Sequence, residues 1–114
     1  MQYLLLIYVP TDWTPDPAEG PRWMSYTQEL QSSGAMLAGD ALDSLDTATT
    51  VRVRDTETLV TDGPFAETKE LLAGYYLIDV PDLDAALGWA AKIPSVGYGS
   101  VEVRPVMVFD RAEA

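Results

Sequence analysis

The sequence predicts an α+β fold: a ferredoxin-like antiparallel sheet with two helices on one face, an inserted β-hairpin, and two such sheets paired face to face in a dimer. Three observations predict it. Patterns suited to strands and helices alternate in the order strand, helix, strand, hairpin, strand, helix, strand, so each half of the chain carries one strand–helix–strand unit. Both helices then cover the same sheet face. A chain of 114 residues has no sequence left to cover the other face, and pairing two sheets about a twofold axis is the economical way to bury it.

Residues 3–9 (YLLLIYV) form a nearly continuous apolar run, as expected of a central strand covered on both sides. Three prolines follow within residues 10–17 and mark a loop, which is expected to lie over a cavity as a lid or flat on the surface. A helix could begin at Pro17 with Asp16 as its cap, but Pro21 would then fall inside it and remove a backbone bond. Starting at Pro21 with Gly20 as cap avoids that loss. On this helix Trp23, Tyr26, Thr27 and Leu30 share the apolar face, and Gly34 ends it in a left-handed cap. Residues 35–41 make a short strand in which Gly39-Asp40 marks a bulge or a close approach of another group.

Residues 49–54 alternate, with Val51 and Val53 on one face and Arg52 and Arg54 on the other; residues 58–62 return to complete a hairpin whose turn lacks glycine. Residues 73–80 are a second strongly apolar strand closed by Pro81. Asp82 caps a second helix running to Ile93, with Leu83, Ala86, Leu87, Ala90, Ala91 and Ile93 as its apolar stripe. In the last strand, residues 100–109, Val101 and Val103 alternate with Glu102 and Arg104. Residues 1–109 are read as one domain and 110–114 as a C-terminal tail.

Composition narrows the chemistry. Seven Lys plus Arg stand against eighteen Asp plus Glu, a net charge of −11, and a field of that sign repels nucleic acid and anionic lipid surfaces. With no Cys there is neither a disulfide framework nor a thiolate nucleophile, and with no His the commonest general base and transition-metal ligand are missing. Carboxylates, Tyr, Lys, Arg and backbone groups remain. No apolar run is long enough to span a bilayer and no signal-peptide pattern opens the chain, so a cytoplasmic protein is expected. Asp40, Asp43 and Asp46 recur every three residues but match no calcium-loop pattern; no metal and no cofactor are assigned.

The most distinctive stretch is Asp62-Gly63-Pro64-Phe65-Ala66-Glu67-Thr68-Lys69-Glu70. It is followed by Leu71-Leu72-Ala73-Gly74-Tyr75-Tyr76-Leu77-Ile78, by Asp82-Leu83-Asp84-Ala85-Ala86 and by Gly99-Ser100-Val101-Glu102-Val103-Arg104-Pro105. Together with Tyr3-Leu4-Leu5-Leu6 and Thr47-Ala48-Thr49-Thr50-Val51-Arg52, this order resembles the DGPF group of YCII-related proteins across nearly the whole chain. The resemblance implies a ferredoxin-like fold dimerising as an α/β barrel, in small bacterial proteins, some encoded beside sigma-factor-like regulators. It also implies kinship with a dehydrochlorinase of chlorinated-aromatic degradation. A His-Asp pair proposed in other branches has no counterpart here, because the chain has no His.

From the residues themselves, Asp62 is first a turn-former and second a candidate general base, joined by Glu67 as a catalytic candidate. Arg52 and Arg104 are candidate clamps for a substrate carboxylate, and Lys69 and Phe65 are candidate binding residues beside the turn. Tyr75 and Tyr76 are adjacent on a strand and face opposite ways, one into the core and the other toward a cavity; Tyr76 is the binding candidate. The function expected is a homodimer that binds a small hydrophobic or aromatic metabolite, as a cofactor-free lyase or dehydrochlorinase-like enzyme using carboxylates. The alternative is a non-catalytic ligand-binding or regulatory module linked to sigma-factor systems. Neither involves nucleic acid or membrane.

Overall fold

The computed structural model describes residues 1–63 and 69–109, so the candidates Phe65 and Glu67 lie outside the described residues. Eight regular elements follow in order: β1 (Gln2–Pro10), α1 (Gly20–Ser32), β2 (Met36–Ala41), β3 (Thr49–Arg54), β4 (Glu57–Asp62), β5 (Glu70–Asp79), α2 (Leu83–Ala91) and β6 (Ser100–Pro105). β1, β2, β5 and β6 form one antiparallel sheet in the order β2-β5-β1-β6, and β3 and β4 form a separate two-stranded sheet. Without the hairpin, this is the strand order of a ferredoxin-like fold. The smallest dimension is 19 Å, as expected of one sheet with one layer of helices.

β1 explains why one face is dry. Tyr3, Leu5, Ile7 and Val9 are buried, while Leu4, Leu6 and Tyr8, pointing the other way, are only half-buried. Tyr3, Leu5 and Ile7 meet Tyr26 and Leu30 of α1, Ala86 and Ala90 of α2, Ile93, and Tyr76 and Ile78 of β5 in a single core. Both helices therefore lie on the same face. The opposite face carries Leu4 and Leu77 side by side in the β1–β5 register, with Leu6 opposite Tyr75.

Local chemistry sets the boundaries. Helical turns begin near both starts weighed in the sequence, but Gly20 is the first residue of α1 rather than its cap, which is Glu19. Asp16 accepts a bond from the Ala18 N–H at 2.9 Å and caps a 3-10 turn over Pro17–Glu19, after which Pro21 sits in the first turn of α1. Gly34 ends α1 at φ 82°. Asp82 caps α2 by accepting from the Ala85 N–H at 2.9 Å. The bulge expected near Gly39-Asp40 falls earlier, between Met36 and Ala38, and Gly39 is instead the point of close approach.

The structure corrects one expected face and resolves another that alternation leaves open. On α2 the buried positions are Ala86 and Ala90, with Ala85 and Trp89 half-buried, while Leu83 and Leu87 are exposed. Small residues let α2 seat close to the sheet, and Trp89 supplies the bulk by packing edge-on against Tyr26, ring centroids 6.1 Å apart. On the hairpin the valine face is the outer one: Val51, Val53 and Val60 are exposed, whereas Thr50 is buried and Arg52 half-buried. Thr50 donates its hydroxyl to the Gly63 carbonyl at 2.7 Å, which ties β3 to the residue that follows β4. The turn without glycine uses Asp55 at φ 49° and Thr56 at φ 66°, both left-handed as a two-residue type I′ hairpin requires.

Candidate functional site

A cavity of about 330 Å³ opens between the start of α1, the loop that precedes it and the β2–β5–β1 part of the sheet. Its floor is strand backbone with small residues, Gly39 and Ala41 from β2 and Ala73 and Gly74 from β5. A Cβ added to Gly39 would lie 2.6 Å from Cδ1 of Tyr76, so glycine at this position lets the Tyr76 ring lie flat against β2. Ile7, Val9 and Met36 add an aliphatic wall, and Trp13, Trp23 and Tyr76 an aromatic one.

The aromatic wall is held by paired polar atoms. The Tyr76 and Thr27 hydroxyls hydrogen-bond at 2.7 Å, joining β5 to α1. Tyr26 packs edge-on to Tyr76 with centroids 5.4 Å apart and donates to the Trp89 carbonyl at 2.9 Å. Burial, reinforced by Tyr76 and Glu29, pushes the Tyr26 phenol far above its ordinary value. At the mouth, the Trp13 indole N–H donates to the Tyr98 hydroxyl at 3.2 Å, which in turn donates to Glu19 Oε1 at 2.9 Å. This chain ties the loop before α1 to the segment before β6. Burial raises the Tyr98 pKa; the Trp13 bond lowers it and Glu19 raises it. Thr11 N–H adds a bond to the Lys69 carbonyl at 3.3 Å.

Two carboxylates, Asp16 and Glu19, belong to the rim. Asp40 and Tyr75 also border the cavity, but Tyr76 faces α1, so alternation turns the Tyr75 ring to the open side of the sheet. There the Tyr75 hydroxyl donates to Asp40 Oδ2 at 2.8 Å, and that bond is the main cause of its raised pKa. Asp40 and Tyr75 thus meet the cavity through backbone. No group of three or more Asp or Glu residues suited to holding a metal ion occurs among the described residues.

Of the catalytic and binding candidates named from the sequence, Tyr76 alone lines the cavity among the described residues. Asp62 ends β4 opposite Thr49 and is exposed, and Arg52 lies mid-hairpin opposite Leu59. Lys69 is exposed at the entry to β5, and Arg104 sits on β6 opposite Leu4, exposed on the open face. These four are not brought together around the cavity. The residues that do build it, Trp13, Pro15, Asp16, Glu19, Trp23 and the β2–β5 glycines, carried two signals in the sequence: a proline-rich loop next to a helix start that had space to cover, and Gly39 as a place of close approach.

The family model of the YCII-related domain matches residues 1–110. An uncharacterised protein of Rhizobium meliloti (strain 1021) is 48% identical over 68 residues, covering 58% of this chain and 55% of that protein. The chain thus aligns with about half the length of that relative. Among the described residues, no helix is long and apolar enough to cross a membrane.

Proposed function

The chain belongs to the YCII-related family, and we propose that it is a cytoplasmic, homodimeric member of the DGPF group that binds a small hydrophobic or aromatic metabolite in the cavity above β2 and β5. The observation that carries this reading is the cavity itself. Its volume of about 330 Å³ sits at the low end of the roughly 300–1,000 Å³ typical of small-molecule sites, and Trp13, Trp23 and Tyr76 wall it. The inner hydroxyls of Thr27 and Tyr76 satisfy one another, so the interior offers mainly contact area.

Binding is preferred to carboxylate catalysis by Asp62 because Asp62 is exposed on the hairpin and outside the cavity lining. The dimer reading rests on the open sheet face. Leu4, Leu6 and Leu77 form an apolar stripe there, rimmed by Asp40 and Glu102 on one hand and Arg104 on the other. A rim carrying both signs lets Arg104 of one copy face an acidic rim residue of the other.

A thermal-shift screen of small aromatic compounds tests binding without knowledge of a reaction. A ligand at a hundredfold excess over its Kd adds about 2.7 kcal/mol, a rise on the order of ten degrees in Tm. Hits that persist in Asp62→Asn but disappear in Trp23→Ala are expected. Retention in Trp23→Ala with loss in Asp62→Asn would move the site to the hairpin. Light scattering at micromolar concentration is expected to return twice the 12.5 kDa chain mass.

A further inference from the structure

The cavity's inner wall is aromatic and its charged rim has one sign. Among the described residues, Asp16 and Glu19 are its only carboxylates that alternation does not turn to the far side of the sheet, and no Lys or Arg lines it. Neither is ion-paired among the described residues: Asp16 Oδ1 accepts from a backbone N–H and Glu19 Oε1 from the Tyr98 hydroxyl, both neutral donors. Each keeps an acceptor oxygen beside the mouth, where Trp13 and Trp23 present ring surface.

Two positive contributions oppose this charge. The N-terminus of α1 points toward the cavity at Gly20, but a helix end carries only about half an elementary charge, and Pro21 has no N–H to offer an anion. Arg22 is close enough to Tyr98 to lower its pKa and therefore screens Glu19 in part, yet it does not line the cavity. Two full carboxylates outweigh half a charge and a screened neighbour. The net charge of −11 adds a long-range field of the same sign.

We propose that the ligand is a cationic one: a small amine whose aryl or alkyl body enters the cavity while its ammonium sits at the mouth between Asp16, Glu19 and the tryptophan faces. Ammonium groups are attracted both by carboxylates and by the negative faces of aromatic rings, and Trp is the strongest such partner. A carboxylate or phenolate would meet Asp16 and Glu19 head-on. This assignment rests on the binding reading above and reverses the anionic ligand that the arginines Arg52 and Arg104 suggest from sequence.

The test uses three probes with one phenyl body and different head groups: 2-phenylethylammonium, 2-phenylethanol and 3-phenylpropionate. They are titrated calorimetrically into the full chain at low and at 0.5 M salt. The ammonium is expected to bind at least tenfold tighter than the alcohol, the carboxylate weakest of the three, and salt to erode the difference. In Asp16→Asn/Glu19→Gln, which keeps the capping and Tyr98 acceptors, ammonium affinity is expected to fall to that of the alcohol while the alcohol is unchanged. Alcohol or carboxylate binding equal to the ammonium's would overturn the cationic assignment and leave the cavity reading standing. Binding of none of the three would overturn both.

Discussion

The hydroxyls of Thr27 and Tyr76 hydrogen-bond at 2.7 Å and join α1 to β5 at the back of the cavity. Each satisfies the other, so removing one leaves a polar atom stranded in a half-buried place. Tyr76→Phe and Thr27→Val are each expected to lower stability by about 1 kcal/mol in urea unfolding. The double variant should cost less than their sum, with a coupling of about 0.5–1.5 kcal/mol. Strict additivity would mean that the bond contributes nothing.

Gly39 sets the space in front of that pair. An added methyl would sit 2.6 Å from the Tyr76 ring and 3.1 Å from the Met36 methyl. Gly39→Ala is expected to destabilise the protein by about 1–3 kcal/mol through overpacking and to weaken any cavity ligand by displacing the ring. Unchanged stability and ligand affinity would show that the floor yields without cost.

At the hairpin turn, Thr56 holds φ 66° despite its branched Cβ. Thr56→Gly is expected to relieve about 1 kcal/mol, read as roughly fivefold slower amide exchange in β3 and β4. Faster exchange would indicate that glycine's freedom in the open state outweighs the relieved strain.

Alkaline pH provides a fourth check. Burial raises the Tyr26 pKa above the ordinary 10.0, so the native state holds its proton where the unfolded chain has released it. Stability from this group is full below pH 10 and declines as pH rises beyond it toward the folded value. Tyr26→Phe is expected to flatten the alkaline decline while costing about 1 kcal/mol at neutral pH, because the Trp89 carbonyl loses its donor. An undiminished decline would place the titrating group elsewhere, with Tyr98 as the next candidate.

Much of the fold was legible because it depends on local chemistry. Asp82, Gly34 and the apolar run of β1 each act within a few residues, and all stand where the sequence places them. Hairpin polarity was not legible: alternation shows that Val51 and Val53 share a face but not which face is outer, and in the structure the valines are exposed while Thr50 is buried. The α2 stripe misled for a similar reason. Leu83 and Leu87 have the right spacing, yet close seating on the sheet selects Ala86 and Ala90. The cavity was least legible, since Trp13, Glu19, Gly39 and Tyr76 converge only through the sheet register and the Trp13–Tyr98–Glu19 bonds.

A two-dimensional amide NMR titration of the full chain with 2-phenylethylammonium tests the central claim most directly, because glycine amides report from the cavity floor. Shifts are expected at Gly20, Gly39 and Gly74 and at the Trp13 indole, with β3 and β4 unmoved. Shifts gathered at Arg52, Asp62 and Gly63, with Gly39 and Gly74 silent, would contradict it and return the site to the hairpin.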